Sequence, residues 1–72
     1  TGKTVKAPMP GSILRFTVKP GNTVTKGQTV VILEAMKMEN SIATDYAGTV
    51  KRLLVKEGTT VAADAPMIEI EA

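Results

Sequence analysis

The chain repeats itself at a spacing of 37 residues. Residues 11–35 lie over residues 48–72 without a gap, and nine of those 25 positions are identical. The identities are Gly11/Gly48, Arg15/Arg52, Val18/Val55, Lys19/Lys56, Gly21/Gly58, Thr23/Thr60, Val24/Val61, Glu34/Glu71 and Ala35/Ala72. Other pairs keep their apolar character, including Ile13/Val50, Phe16/Leu53, Val31/Ile68 and Leu33/Ile70, and Val5 lies over Ile42. A repeat this short cannot bury its apolar face alone, so the two halves must pack on each other. Two similar four-stranded units about a pseudo-two-fold axis are expected.

The units read as strands. Gly and Pro punctuate the chain at Pro8, Pro10, Gly11, Pro20, Gly21, Gly27, Gly48, Gly58 and Pro66, with short Val-, Ile-, Leu- and Thr-rich runs between them. No 11-residue window carries a clean helical period, and β-branched runs bounded by turn residues are strand signals. The runs predict strands over 3–7, 12–18, 29–34, 41–44, 49–55 and 67–71, with two shorter pieces at 23–24 and 60–61. Within residues 12–18 the apolar positions are Ile13, Phe16 and Val18, and the gap of three breaks the strand period of two. Val50, Leu53 and Val55 repeat the break, so a β-bulge is expected in both strands. Gly21 and Gly58 follow Val-Lys-X and are expected to turn the chain with positive φ. The expected fold is all-β: a small sandwich or flattened barrel built from two similar four-stranded units.

Composition removes most chemistry. Among 72 residues there is no His, Cys or Trp. A Ser-His-Asp triad, a Cys nucleophile, a disulfide framework and the usual zinc site are thereby excluded. Ser12 and Ser41 have no base to activate them, so no catalytic residue is expected. Glu34 and Glu39 alone do not make a metal site. Phe16 is the one Phe and Tyr46 the one Tyr, too few for a base-stacking platform, and a net charge of +2 is too small to argue for a phosphate-binding surface. No apolar run reaches the roughly 20 residues of a membrane helix, so no direct membrane insertion is expected. A chain this short also has a thin core and little room for an enclosing pocket. It starts at Thr1 without Met and reads as one domain, 1–72, the C-terminal part of a longer chain.

One segment breaks the local rules. Residues 34–40, Glu-Ala-Met-Lys-Met-Glu-Asn, join the halves and read as a hairpin with its tip near Met36-Lys37. Tight hairpins favour Gly, Asn or Asp at positive φ, and this tip has none of them. Two Met flanking a Lys at an exposed tip cannot both be buried, and exposed thioethers make an adaptable recognition surface. Such departures from local preference collect at functional sites. Lys37 is therefore the candidate functional residue.

Glu34-Ala35-Met36-Lys37-Met38 resembles the Ala-Met-Lys-Met signature of biotinyl (biotin carboxyl carrier) domains, and Ala7-Pro8-Met9-Pro10-Gly11 resembles their opening. The resemblance covers essentially the whole chain, with 35 residues following the lysine. It implies a flattened barrel or sandwich of two four-stranded antiparallel sheets with an internal pseudo-two-fold repeat, in agreement with the strand and repeat reading, and biotin as covalent cofactor on Lys37. It also implies recognition roles for Met36, Met38, Ala35 and Glu34; Glu39 reads as a solvated charge. Residues 16–23 leave no room for the extra thumb loop of some bacterial acetyl-CoA carboxylase carriers, so the chain is similar to the thumbless kind. The implied partners are a biotin protein ligase, a biotin carboxylase and a carboxyltransferase or decarboxylase subunit, with no nucleic acid. The implied location is cytoplasmic, bacterial or in an organelle matrix.

The resemblance makes the domain a carrier without an active site of its own. Its biotin would shuttle an activated carboxyl group between two catalytic sites. The 37-residue offset places the counterpart of Lys37 just past the end of the chain, so tip and termini are expected at opposite ends of the barrel. A lipoyl carrier shares the fold and the hairpin lysine, but its lysine is typically preceded by Asp and followed by Ala, where this chain has Met on both sides. An unmodified hairpin module that binds partners is the remaining alternative.

Overall fold

The computed structural model describes residues 2–71; Thr1 and Ala72, and with Ala72 the last position of the repeat, lie outside the described residues. Eight strands follow in chain order: β1 (Gly2–Lys6), β2 (Gly11–Phe16), β3 (Thr23–Val24), β4 (Thr29–Ala35), β5 (Met38–Ala43), β6 (Gly48–Leu53), β7 (Thr60–Val61) and β8 (Pro66–Glu71). They form two four-stranded antiparallel sheets, ordered β1-β8-β6-β3 and β5-β4-β2-β7. A shift of 37 residues converts one order into the other, strand for strand.

The halves are not one sheet each. Each sheet takes two strands from each half, so β3 pairs with β6 and β7 with β2. The loop hydrogen bonds obey the same symmetry. Gly21 N–H donates to the Val50 carbonyl at 2.8 Å, and Gly58 N–H donates to that of Ile13 at 2.6 Å. Val50 N–H donates to Asn22, and Ile13 N–H to Thr59, both at 2.8 Å. Both turn glycines have the expected positive φ, 95° at Gly21 and 86° at Gly58. Gly11 and Gly48 serve a different need. A Cβ on either would fall on the backbone carbonyl oxygen of Glu34 or Glu71, so the neighbouring strand can come close only to glycine.

The expected bulges are present. Ile13 pairs with Leu33 and Arg15 with Ile32, which leaves Leu14 as the extra residue; in the second half Lys51 is extra between Val50 and Arg52. A second symmetric pair went unforeseen, at Val30 in β4 and Met67 in β8. Neither breaks the sequence period, because each stands in an unbroken apolar run. The core lies between the sheets and includes Val5, Ile13, Val24, Leu33, Val50, Met67, Ile68 and Ile70. The repeat is not matched in burial everywhere: Val55 is only half-buried although its repeat partner Val18 is 5% exposed. Val18 and Val55 both line an open groove on the symmetry axis, with Phe16 and Leu53.

Strand register fixes the polarity of the molecule. Gly2 pairs with Glu71 at one end of β1, while Lys6 ends that strand at the other. Residues 7–10 then deliver the chain to Gly11 and Ser12, and Ser12 pairs with Glu34 just below the hairpin tip. The tip and the ends of the described chain therefore face opposite ways, along strands of a body 32 × 17 × 17 Å. Replacing Ile70, fully buried, with Ala should lower unfolding free energy by about 2–5 kcal/mol, and Val55→Ala should lower it by about 1 kcal/mol or less. Urea unfolding of both variants checks this order; equal losses would contradict the placement of Val55.

Candidate functional site

The β4–β5 hairpin is tighter than the seven-residue link expected from sequence. The ladder continues through Leu33/Asn40, Glu34/Glu39 and Ala35/Met38, leaving only Met36 and Lys37 as the turn. Both have positive φ, 54° and 65°, the signature of a type I′ two-residue turn. Its twist matches that of the flanking strands, so the ladder holds the turn in place. Each non-glycine residue in this region is disfavoured by roughly 1–2 kcal/mol. Asp64 (φ 68°) is the remaining non-glycine residue of this kind among the described residues, and Asp tolerates the conformation far better than Met or Lys.

The side chains divide by the alternation of the strands. Ala35 is buried and seats the turn on the barrel, whereas Met36 and Met38 are 93% and 66% exposed. Lys37 is exposed between them and joins no ion pair among the described residues. Glu34 is exposed on β4, directly opposite Glu39 on β5. Facing like charges disfavour a strand pair. Arg15 on the neighbouring β2 offsets this, with its guanidinium 3.9 Å from the Glu39 carboxylate.

Two residues of the site escaped the sequence reading. Arg15 stood out only as a repeat identity, and its second-half equivalent, Arg52, pairs with Glu69 at 2.8 Å. Asn40 is the other. Its side-chain amide donates to the Met38 carbonyl at 3.2 Å and reaches the Leu33 carbonyl at 3.5 Å, tying the two strands below the tip. The available signal was an Asn three residues past the lysine, able to bond its neighbours' backbone. Elsewhere, Ser12 meets only the Thr60 hydroxyl, at 3.4 Å, among the side-chain hydrogen bonds of the described residues. Among the described residues no cluster of three acidic side chains could hold a metal ion.

The arrangement offers one chemistry: a primary amine on a long side chain, at the apex of a rigid tight turn, beside two accessible thioethers and above a pair of carboxylates. The model of the family described as "Biotin-requiring enzyme" matches residues 3–70. The chain belongs to that family. It is 51% identical over 67 residues to the biotin carboxyl carrier protein of Streptococcus mutans serotype c, covering 93% of this chain and 52% of that protein. It is 39% identical over 71 residues to the human mitochondrial propionyl-CoA carboxylase alpha chain, covering 99% of this chain and 10% of that one. The Kluyveromyces lactis urea carboxylase structure superposes with a TM-score of 0.92 at 27% identity, over 99% of this chain and 6% of that one. The chain thus spans about half the length of the first relative and a small part of the other two.

Among the described residues, the turn at the candidate lysine is the one place where two consecutive non-glycine residues have positive φ. A double change of Met36→Asn and Lys37→Gly would give the turn its preferred residues. It should raise unfolding free energy by about 1–2 kcal/mol. Thermal unfolding reads the result, and an unchanged or lower midpoint would show that the turn carries no strain.

Proposed function

We propose that this chain is a biotin carboxyl carrier domain and that Lys37 is its biotin attachment site. The observation that carries the reading is the Met36-Lys37 turn, which holds an amine clear of the barrel on residues ill suited to a bend. The lysine fits covalent attachment of biotin: it is exposed, and nothing needs to move to free it. A biotin protein ligase would supply activated biotin. The Lys37 Nζ lone pair attacks the acyl carbon, an amide bond forms, the adenylate leaves, and the amine proton passes to a base of the ligase.

Selection among seven lysines rests on shape. Lys3, Lys6 and Lys51 lie on strands, with Lys51 3.6 Å from the Glu71 carboxylate and Lys3 over the Tyr46 ring at 5.8 Å from its centre. Lys19, Lys26 and Lys56 lie in the turns on either side of β3 and before β7. Only Lys37 stands at the apex of a two-residue hairpin. Met36 and Met38 give a partner an adaptable apolar contact on both sides of the amine, Glu34 a charge, and Ala35 the seat that fixes the turn's height.

When bound, biotin supplies a ureido nitrogen able to carry a carboxyl group. The chain's own contribution is position: a rigid hairpin directed away from Gly2 and Glu71, so that the tip can enter a partner's site while the opposite end is held. Tethering replaces an encounter in solution with a high local concentration. The carboxylation and transfer steps belong to a biotin carboxylase and a carboxyltransferase or decarboxylase. The relatives support this, since they include carboxylases and the methylmalonyl-CoA decarboxylase subunit gamma of Veillonella parvula, 56% identical over 48 residues.

Incubation with biotin protein ligase, ATP and biotin should add one biotinyl group, which peptide mass mapping should place on Lys37. The Lys37→Arg variant should take up none, while its unfolding free energy stays within about 0.5 kcal/mol of the parent. An adduct on another lysine, or none on the parent, overturns the assignment.

A further inference from the structure

The two thioethers beside Lys37 have a chemistry of their own. The chain has four Met and no Cys, Trp or His, so these four sulfur atoms are its main targets for two-electron oxidation. The fold divides them sharply. Met36 and Met38 are 93% and 66% exposed, Met9 is half-buried against the core, and Met67 is fully buried within it. Oxidation of sulfur follows access to the oxidant.

We propose that Met36 and Met38 form a hydroperoxide-modified site at the hairpin tip, and that sulfoxide there slows acylation of Lys37. The second half rests on the reading of Lys37 as the attachment site. In the step itself, a thioether lone pair attacks the terminal oxygen of a hydroperoxide. The S–O bond forms as the O–O bond breaks, sulfur loses two electrons, and the hydroperoxide proton moves to the departing oxygen, which leaves as water or an alcohol. No acid or base from the protein is required. A dithiol-dependent methionine sulfoxide reductase reverses it, with two thiols becoming a disulfide and the oxygen leaving as water.

The modification changes recognition without touching the scaffold. Neither Met36 nor Met38 belongs to the buried core, and the cross-strand bonds of the hairpin use backbone groups and the Asn40 amide, which reaches the Leu33 carbonyl. A sulfoxide converts a flexible apolar side chain into a polar, chiral one. Here it does so on both sides of the amine, where an adaptable apolar surface is the feature offered to a partner. Met67 provides an internal control, since it becomes oxidisable only when the barrel opens.

The test treats the folded chain with limiting hydrogen peroxide and follows each Met by peptide mass mapping. Sulfoxide at positions 36 and 38 should form about tenfold or more faster than at Met67, with Met9 between them and the melting midpoint unchanged. The initial rate of biotin loading by the ligase should then fall about fivefold or more, and return after treatment with both stereospecific reductases and dithiol. A Met36→Leu/Met38→Leu variant, whatever its own rate, should show no loss on peroxide treatment. Equal oxidation of all four Met overturns the site. Undiminished loading of the doubly oxidised chain overturns the effect. If the untreated chain does not load, the attachment reading and the effect fall together, while the mapping still decides the site.

Discussion

The structure depends on an exchange of backbone hydrogen bonds between its two halves. Ile13 and Val50 are buried, each stands immediately before a bulge, and each has both its N–H and its carbonyl bonded to a turn of the opposite half. Through these bonds, β3 completes the sheet of β6 and β7 completes that of β2. A 72-residue chain buries a smaller share of its surface than a larger domain, and neither half could close its own core. Interleaving makes each half the missing edge of the other.

That interlock lets one hairpin carry strain. A Met-Lys pair in a type I′ turn is a poor local choice and would open in an isolated peptide. Here β4 is central in its sheet, held by β2 on one side and β5 on the other, and the ladder remains intact to the residues that flank the turn. Asn40 ties the strands below it through the Leu33 carbonyl, Arg15 offsets the facing carboxylates, and buried Ala35 anchors the base. The cost is held by the barrel, and the amine stands where no neighbouring side chain covers it.

The peptide-level symmetry was readable wherever it disturbed a pattern. The spacing of Ile13 to Phe16 and of Val50 to Leu53 broke the strand period, so two bulges could be inferred; Val30 and Met67 stand in apolar runs, and theirs left no trace. The short strands at 23–24 and 60–61 were legible because the repeat pointed to the same dipeptide twice. At the site, Met36 and Lys37 were legible by their unsuitability for a bend, and Met38 because two Met flanking a Lys at an exposed tip cannot both be buried. Arg15 and Asn40 were not, since an Arg and an Asn acquire meaning only from the strand opposite them.

The sequence by itself determined a duplicated all-β chain, two bulged strands and an exposed lysine hairpin between the halves. These follow from local propensity and from the comparison of one half with the other, neither of which needs distant contacts. Tertiary structure decided that the halves interleave, that Val55 is half-buried while Val18 is buried, and that only two residues form the tip. Each of these depends on which strand lies beside which, and hydrogen bonds between segments far apart in the chain settle that only when the sheets close.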